Sequence, residues 1–270
     1  MPLTDFQRAV CRLIAANRLE QGESYVAGGA VLNTLLPGGR VSRDIDLFHD
    51  THEALLATWA QDRRLLLSNG YEVDVVRERD FFIEAVVRRR EDSVVLQWAR
   101  DSAYRFFPLV THEDFGLVLH PFDLATNKVL ALVGRLEPRD WVDVIVCSEK
   151  LQPLGCLAWA ACGKDPGFSP KMILGEARRT CRYSAEELAG LAFQGEPPDA
   201  AALSVRWRAI VEEADDMVDL LPAEHVGKCV MDPGGKLFRG TTDDLRSAIG
   251  GKRLAFHAGS IRGAWPTISV

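Results

Sequence analysis

The sequence predicts an α/β fold: a small mixed sheet with helices, then a helical module and a short C-terminal tail of strands and turns. Three observations predict it. A strand, helix and strand unit occupies residues 25–48, three Val- and Phe-rich runs separated by charged turns follow within 72–98, and the apolar period is helical from residue 121 to about 213. The expected divisions are residues 1–120 for the core, 121–221 for the helical module and 222–270 for the tail. At 270 residues and 47% hydrophobic, the chain can bury a substantial core.

Residues 5–19 have the apolar spacing of an amphipathic helix. Tyr25-Val-Ala then forms a short apolar strand running into Gly28 and Gly29, with a helix expected from Ala30 and an extended segment at Asp44-Ile-Asp-Leu-Phe. A helix over 51–68 meets its stop signal at Asn69-Gly70. Strands are expected at 72–76, 81–87 and 93–98. Further on, Leu124, Val129, Leu132 and Val133 make an apolar helical face with Lys128 near its edge. Pro138 opens a second helix on which Asp140 and Asp143, three apart, share a side. Breaks fall at Pro153, at 165–167 and at 195–198, and Ser184 followed by Glu186 and Glu187 reads as a capped helix start. Beyond Leu221-Pro222 come short runs with Gly234-Gly235, Gly250-Gly251 and Gly263, whose role is not legible.

The chemistry concentrates in residues 25–48. Side chains two apart in a strand leave the same face, so Asp44 and Asp46 converge while Ile45 and Leu47 turn into the core. Two such carboxylates repel unless a cation sits between them, and a hard ion such as Mg²⁺, or Mn²⁺, suits the position. Gly28 and Gly29 let the backbone approach a triphosphate, and the following helix turns its amino end toward the anion. Ser42 adds a hydroxyl and Arg43 a positive charge. The pattern is that of a phosphoryl-transfer site.

These residues, YVAGGAVLNTLLPGGRVSRDIDLF, resemble the signature of the DNA polymerase β-like nucleotidyltransferases, a hydrophobic-Gly-Gly step followed by an Asp-x-Asp strand. Fourteen residues separate Gly29 from Asp44, slightly more than the pattern has, and the loop at Pro37-Gly38-Gly39 accounts for the excess. A second segment, PFDLATNKVLALVGRLEPRDWVDVIV at 121–146, resembles the AbiEii/AbiGii-type nucleotidyltransferase toxins, with the match on Lys128, Arg139, Asp140 and Asp143. The resemblance implies a small mixed nucleotidyltransferase sheet, an NTP substrate and a metal held by Asp44 and Asp46. It also implies that Gly28, Gly29, Ser42, Arg43 and Lys128 bind the nucleotide, and that Asp143 or Asp140 supports catalysis or orients the lysine. By the same resemblance the acceptor is a hydroxyl such as the 3′ end of tRNA, and the chain is a toxin with an antitoxin partner. A small-molecule transferase acting on an antibiotic or a sugar, and a non-catalytic nucleotide-binding protein, are the competing readings.

One position departs from the superfamily pattern. The third carboxylate belongs on the strand SVVLQWA, where the expected place holds Gln97; Asp74 and Asp101 are the substitutes, and the Asp140/Asp143 helix or the substrate could instead provide the base.

The net charge of −6 argues against a surface that binds nucleic acid indiscriminately. Two basic groups remain candidates for a local track: Arg77, Arg79, Arg88, Arg89 and Arg90 around a hairpin, and Lys171, Arg178, Arg179 and Arg182 along a helix. No window holds eighteen uncharged apolar residues, no membrane association is expected, and MPLTDFQRAV lacks a signal-peptide pattern, so a cytoplasmic location is expected. The six cysteines are scattered without CxxC spacing and read as small buried apolar residues rather than zinc ligands or disulfides.

Overall fold

The computed structural model describes residues 3–180 and 183–267. Its elements begin with α1 (Asp5–Gln21), β1 (Ser24–Ala27), α2 (Gly28–Leu35), β2 (Asp44–His49), α3 (His52–Ser68), β3 (Glu72–Arg79), β4 (Phe82–Arg89) and β5 (Asp92–Arg100). There follow β6 (Tyr104–Arg105), β7 (Val110–His112), β8 (Gly116–Val118), α4 (Pro121–Arg135), α5 (Pro138–Lys150), α6 (Leu154–Ala161), α7 (Pro170–Thr180), α8 (Ala185–Ala189) and α9 (Ala200–Leu220). The chain ends with β9 (Lys228–Met231), α10 (Thr242–Gly250), β10 (Ala255–Ala258) and β11 (Ser260–Ile261). Two compact units form: Met1–Ala103 with Leu109–His120 and Ala192–Gln194, and Tyr104–Pro108 with Pro121–Leu191 and Gly195–Val270.

The first unit is built on a mixed sheet in the order β3-β4-β5-β2-β1-β8-β7. β2 runs parallel to β5 and antiparallel to β1, while β3, β4 and β5 form an antiparallel meander. Alternation sorts the side chains: Ile45, Leu47, Ile83, Ala85, Val87, Val94, Leu96 and Trp98 are all buried on one face. Each large one contributes roughly 1.5–3 kcal/mol by leaving water. Against this face packs α3, whose Trp59 meets Trp98 edge-on with centroids 4.7 Å apart.

Helices α1 and α3 are tied by a buried polar knot. Arg18 pairs with Asp62, whose other oxygen accepts from Asn17 Nδ2 at 2.7 Å, and Trp98 Nε1 donates to Asp62 at 2.9 Å. The paired charges and the two added donors tie the helices together, while Arg18 Nε stays buried without a hydrogen-bond partner. Both helices begin where the sequence signals: Thr4 and Gln7 form a capping box on α1, and Thr51 caps α3.

In the second unit every residue of α6 is buried, as an apolar eight-residue helix must be, and the other elements surround it. Residues 228–261 make their strand pairings within this unit. β9 pairs with β10, Gln152 Nε2 donates to the carbonyls of Val230 (2.7 Å) and Phe238 (3.1 Å), and β11 pairs with β6. The region contains a capped helix, α10, where short strands and turns alone were expected. Asp123, buried at the start of α4, accepts from the amides of Phe106 and Phe107 at 2.9 and 3.0 Å and pairs with Lys164. Cys11, Cys147, Cys156, Cys162 and Cys229 are buried, and burial pushes the thiols of Cys11 and Cys156 up to about 12. Cys181 and Arg182 lie outside the described residues.

His49, on the buried face of β2, sits between two fixed partners: Ser24 Oγ at 3.1 Å from Nε2 and the Ala99 carbonyl at 3.1 Å from Nδ1. The carbonyl can only accept, so Nδ1 carries the proton and the ring is neutral. Burial lowers its pKa from 6.5 to about 4. The unfolded chain therefore takes up this proton first as pH falls, and stability held above pH 6.5 should decline toward pH 4, by roughly 3 kcal/mol at most. Urea unfolding of wild type and His49→Gln at neutral pH and at about pH 4.5 checks this, since the glutamine cannot titrate and its acid-side loss should be smaller. Equal losses would contradict it.

Candidate active site

β2 presents Asp44, Asp46 and Phe48 half-exposed on one face and buries Ile45, Leu47 and His49 on the other. Beside it, β1 places Ala27 opposite Asp46, so the step from β1 into α2 happens next to that carboxylate. Gly28 makes the step with φ at +70°, and a Cβ there would overlap the Asp46 carboxylate. Both the backbone conformation and the close approach require glycine. At Gly29 a Cβ would run into the Arg40 guanidinium and come within 3.0 Å of Ser42 Oγ. The helix starts at Gly28, two residues before the expected Ala30, with Ala27 as an N-cap that has no side-chain acceptor. The amino end of α2 thus lies against Asp46, where its partial positive charge favours an anion.

Asp44 is held from the loop before it. Ser42 Oγ donates to Asp44 Oδ1 at 2.9 Å, and the Ser42 carbonyl accepts from Gln7 Nε2 at 3.2 Å. The longer loop is pinned by residues 192–194: Gln194 N donates to Gly39 O at 2.7 Å and Val41 N to Ala192 O at 2.8 Å. Arg43 is exposed beside this arrangement.

Gln97 stands directly beside Asp46 across the parallel β2–β5 pair. Neither proposed substitute shares its place. Asp74 lies on the outer strand β3 and pairs with Arg88, while Asp101 follows β5 and hydrogen-bonds its amide to His49 O, past the far end of the Asp-x-Asp strand. The acid that does reach this row is Glu84 of β4, the cross-strand partner of Gln97, which accepts from Gln97 Nε2 at 2.8 Å. The sequence analysis missed it. A two-residue turn at Arg90-Glu91, which sets Arg89 opposite Asp92, would have placed Glu84 opposite Gln97.

Among the described residues, no three His, Cys, Asp or Glu side chains converge on one metal position. Mg²⁺ nevertheless fits the Asp44–Asp46 pair, because it keeps several waters and is commonly held by one or two carboxylates together with substrate phosphates.

In the second unit, Lys128 is buried in α4 between two carboxylates of α5, with Nζ 2.9 Å from Asp140 Oδ1 and 2.9 Å from Asp143 Oδ2. Arg135 closes a fork on Asp140 at 2.6 and 3.0 Å. Burial alone would raise the Asp140 pKa, but the Arg135 hydrogen bond and the two cations hold its carboxyl below the ordinary value. Lys128, expected near the edge of an apolar face, is thus buried and held between two carboxylates. Arg139 Nε lies 2.8 Å from Glu137 Oε2.

The basic groups are largely answered by acids or rings. On α7, Lys171 and Arg178 pair with Asp215, Lys171 also with Asp219, and Arg179 with Glu176. On the sheet, Arg77 and Arg89 lie over Phe82 and Tyr71.

No family model matches the sequence, and no curated protein matches it. Solved structures do. MenT4, a nucleotidyltransferase toxin from Mycobacterium tuberculosis, superposes with a TM-score of 0.56 at 16% identity, covering 81% of this chain and 85% of that one. JHP933 from Helicobacter pylori gives 0.54 at 14% identity, covering 80% of this chain and 95% of that one. The fold is nucleotidyltransferase-like. At such identities the likeness is one of fold, and the roles of individual residues rest on their geometry.

Gly28→Ala tests that geometry against Gly22→Ala. Gly22 has φ at +71° with nothing within 4 Å of a Cβ, so both variants lose about 1–2 kcal/mol from left-handed backbone. Only Gly28→Ala should also displace Asp46. Thermal melts should show both variants weakened, Gly28→Ala the more; equal melts would contradict the Gly28–Asp46 contact.

Proposed function

We propose that the protein is a metal-dependent nucleotidyltransferase, moving a nucleoside monophosphate from an NTP to a hydroxyl acceptor with release of pyrophosphate. The observation that carries this reading is the Asp46 carboxylate seated against Gly28 at the amino end of α2, with Asp44 beside it on the same sheet face. A bound Mg²⁺ or Mn²⁺ would supply charge neutralisation at the phosphates. Asp44 and Asp46 would hold it. The Gly28-Gly29 backbone lets the triphosphate approach α2, whose amides and dipole favour its negative charge. Ser42, by donating to Asp44, restrains that carboxylate.

For Lys128 the support is the AbiEii/AbiGii resemblance together with its own cluster. Asp140 and Asp143 fix the direction of the ammonium, and a cation of set direction suits a phosphate contact. The same resemblance supports the finer reading of a toxin that modifies the 3′ end of tRNA and is neutralised by an antitoxin. MenT4 is itself a nucleotidyltransferase toxin. Two observations favour a small-molecule acceptor instead: the net charge of −6 and the acids that pair with Lys171 and Arg178. Among the described residues no helix is long and apolar enough to cross a membrane.

Incubation with labelled NTPs, Mg²⁺ and total tRNA separates the possibilities. Labelled RNA supports the toxin reading, and a labelled small molecule from a cell extract supports the second. Asp46→Ala should abolish transfer while its circular dichroism and melting stay near wild type. Undiminished transfer by that variant, or NTP binding without turnover by the wild type, would overturn the proposal.

A further inference from the structure

Three side chains stand in a row across the half-exposed sheet face: Asp46 on β2, Gln97 on β5 and Glu84 on β4, each directly opposite the next. A carboxylate only accepts hydrogen bonds, so the 2.8 Å contact between Gln97 and Glu84 requires the amide nitrogen to face Glu84. With its nitrogen committed to Glu84, the amide is left with its oxygen to offer in another direction. The strand on the other side of β5 is β2, which carries Asp44 and Asp46.

Glu84 itself is two strands from Asp46, about 10 Å across the sheet, and is too far to share an ion with it. This agrees with the lack, among the described residues, of three converging acidic ligands. An amide oxygen is a good ligand for a hard divalent cation, and its orientation is the property Glu84 controls. We infer that Gln97 supplies a third, neutral oxygen to the cation at Asp44 and Asp46, and that Glu84 is the positioning residue that turns it there. The inference rests on the nucleotidyltransferase reading of the Asp-x-Asp strand and adds to it the ligand on β5. It makes the protein's share of the cation site doubly rather than triply negative.

The consequence can be read without catalysis, by titrating Mn²⁺ into the full-length protein and following the free ion by electron paramagnetic resonance. Gln97→Leu should weaken Mn²⁺ binding roughly tenfold or more. Glu84→Leu, which releases the amide, should weaken it by several-fold, whereas Glu84→Gln keeps an acceptor for Gln97 Nε2 and should stay within about twofold of wild type. The exchange of the two residues, Glu84→Gln with Gln97→Glu, keeps the hydrogen bond and moves the charge to β5, so it should bind Mn²⁺ more tightly than wild type. All four substitutions are at half-exposed positions, and thermal melts verify their folding.

Asp46→Ala separates the two levels of the argument. If it leaves Mn²⁺ binding unchanged, the site assignment fails and this inference with it. Should Asp46→Ala lose binding while Gln97→Leu and the exchanged pair both bind as wild type does, the role of Gln97 alone is refuted.

Discussion

The geometry of the candidate site turns on one close approach, that of the Asp46 carboxylate to the Cα of Gly28. A side chain at residue 28 would occupy the space the carboxylate fills, so Asp46 keeps its place beside the turn only because that side chain is missing. Everything useful about the site follows from this proximity. It sets an acidic strand against a helix amino end, two features whose fields oppose each other and which together suit a cation bridging carboxylates and phosphates. The neighbouring contacts serve the same geometry: Ser42 restrains Asp44, Gln7 restrains Ser42, and the 192–194 segment restrains the loop that carries it.

Much of this was legible in the sequence because it depends on short-range rules. The strand period put Asp44 and Asp46 on one face, and Gly-Gly after an apolar strand marked the turn. Thr51, Ser184 and Pro138 marked helix starts that the structure keeps. What remained hidden depends on pairing between distant segments. β7 and β8 have only three residues each and join the sheet through pairing with β1, a relation no local pattern announces. Glu84 belongs to no motif of the sequence, and only the strand register sets it beside Gln97. The bulge between Val75 and Arg77 shifts the alternation of β3, so that Asp74 and Arg77 face the same way despite their odd spacing.

The second unit shows the same division. The helical period and its breaks predicted α4 to α9, but the place of the C-terminal residues came from contacts at long separation, such as β11 with β6 and Gln152 with the 228–238 strand and loop. Lys128 is the most instructive residue there. In sequence it is a lysine on a mostly apolar helix, which ordinarily extends toward solvent. In the fold its charge is buried and matched by Asp140 and Asp143, with Arg135 balancing the second carboxylate. Contacts of 2.9 Å to both carboxylates hold the ammonium in one direction.

The central claim is that Asp44 and Asp46 hold a divalent cation in front of the Gly28-Gly29 turn. Its most direct test is a crystal structure of the full chain grown with Mn²⁺ and a non-hydrolysable NTP analogue, with the metal located by anomalous scattering. The account predicts a peak within about 2.3 Å of an oxygen from each carboxylate. It also predicts the triphosphate lying along the glycine turn. A metal bound elsewhere, or a triphosphate seated away from Gly28 and Gly29, would contradict it.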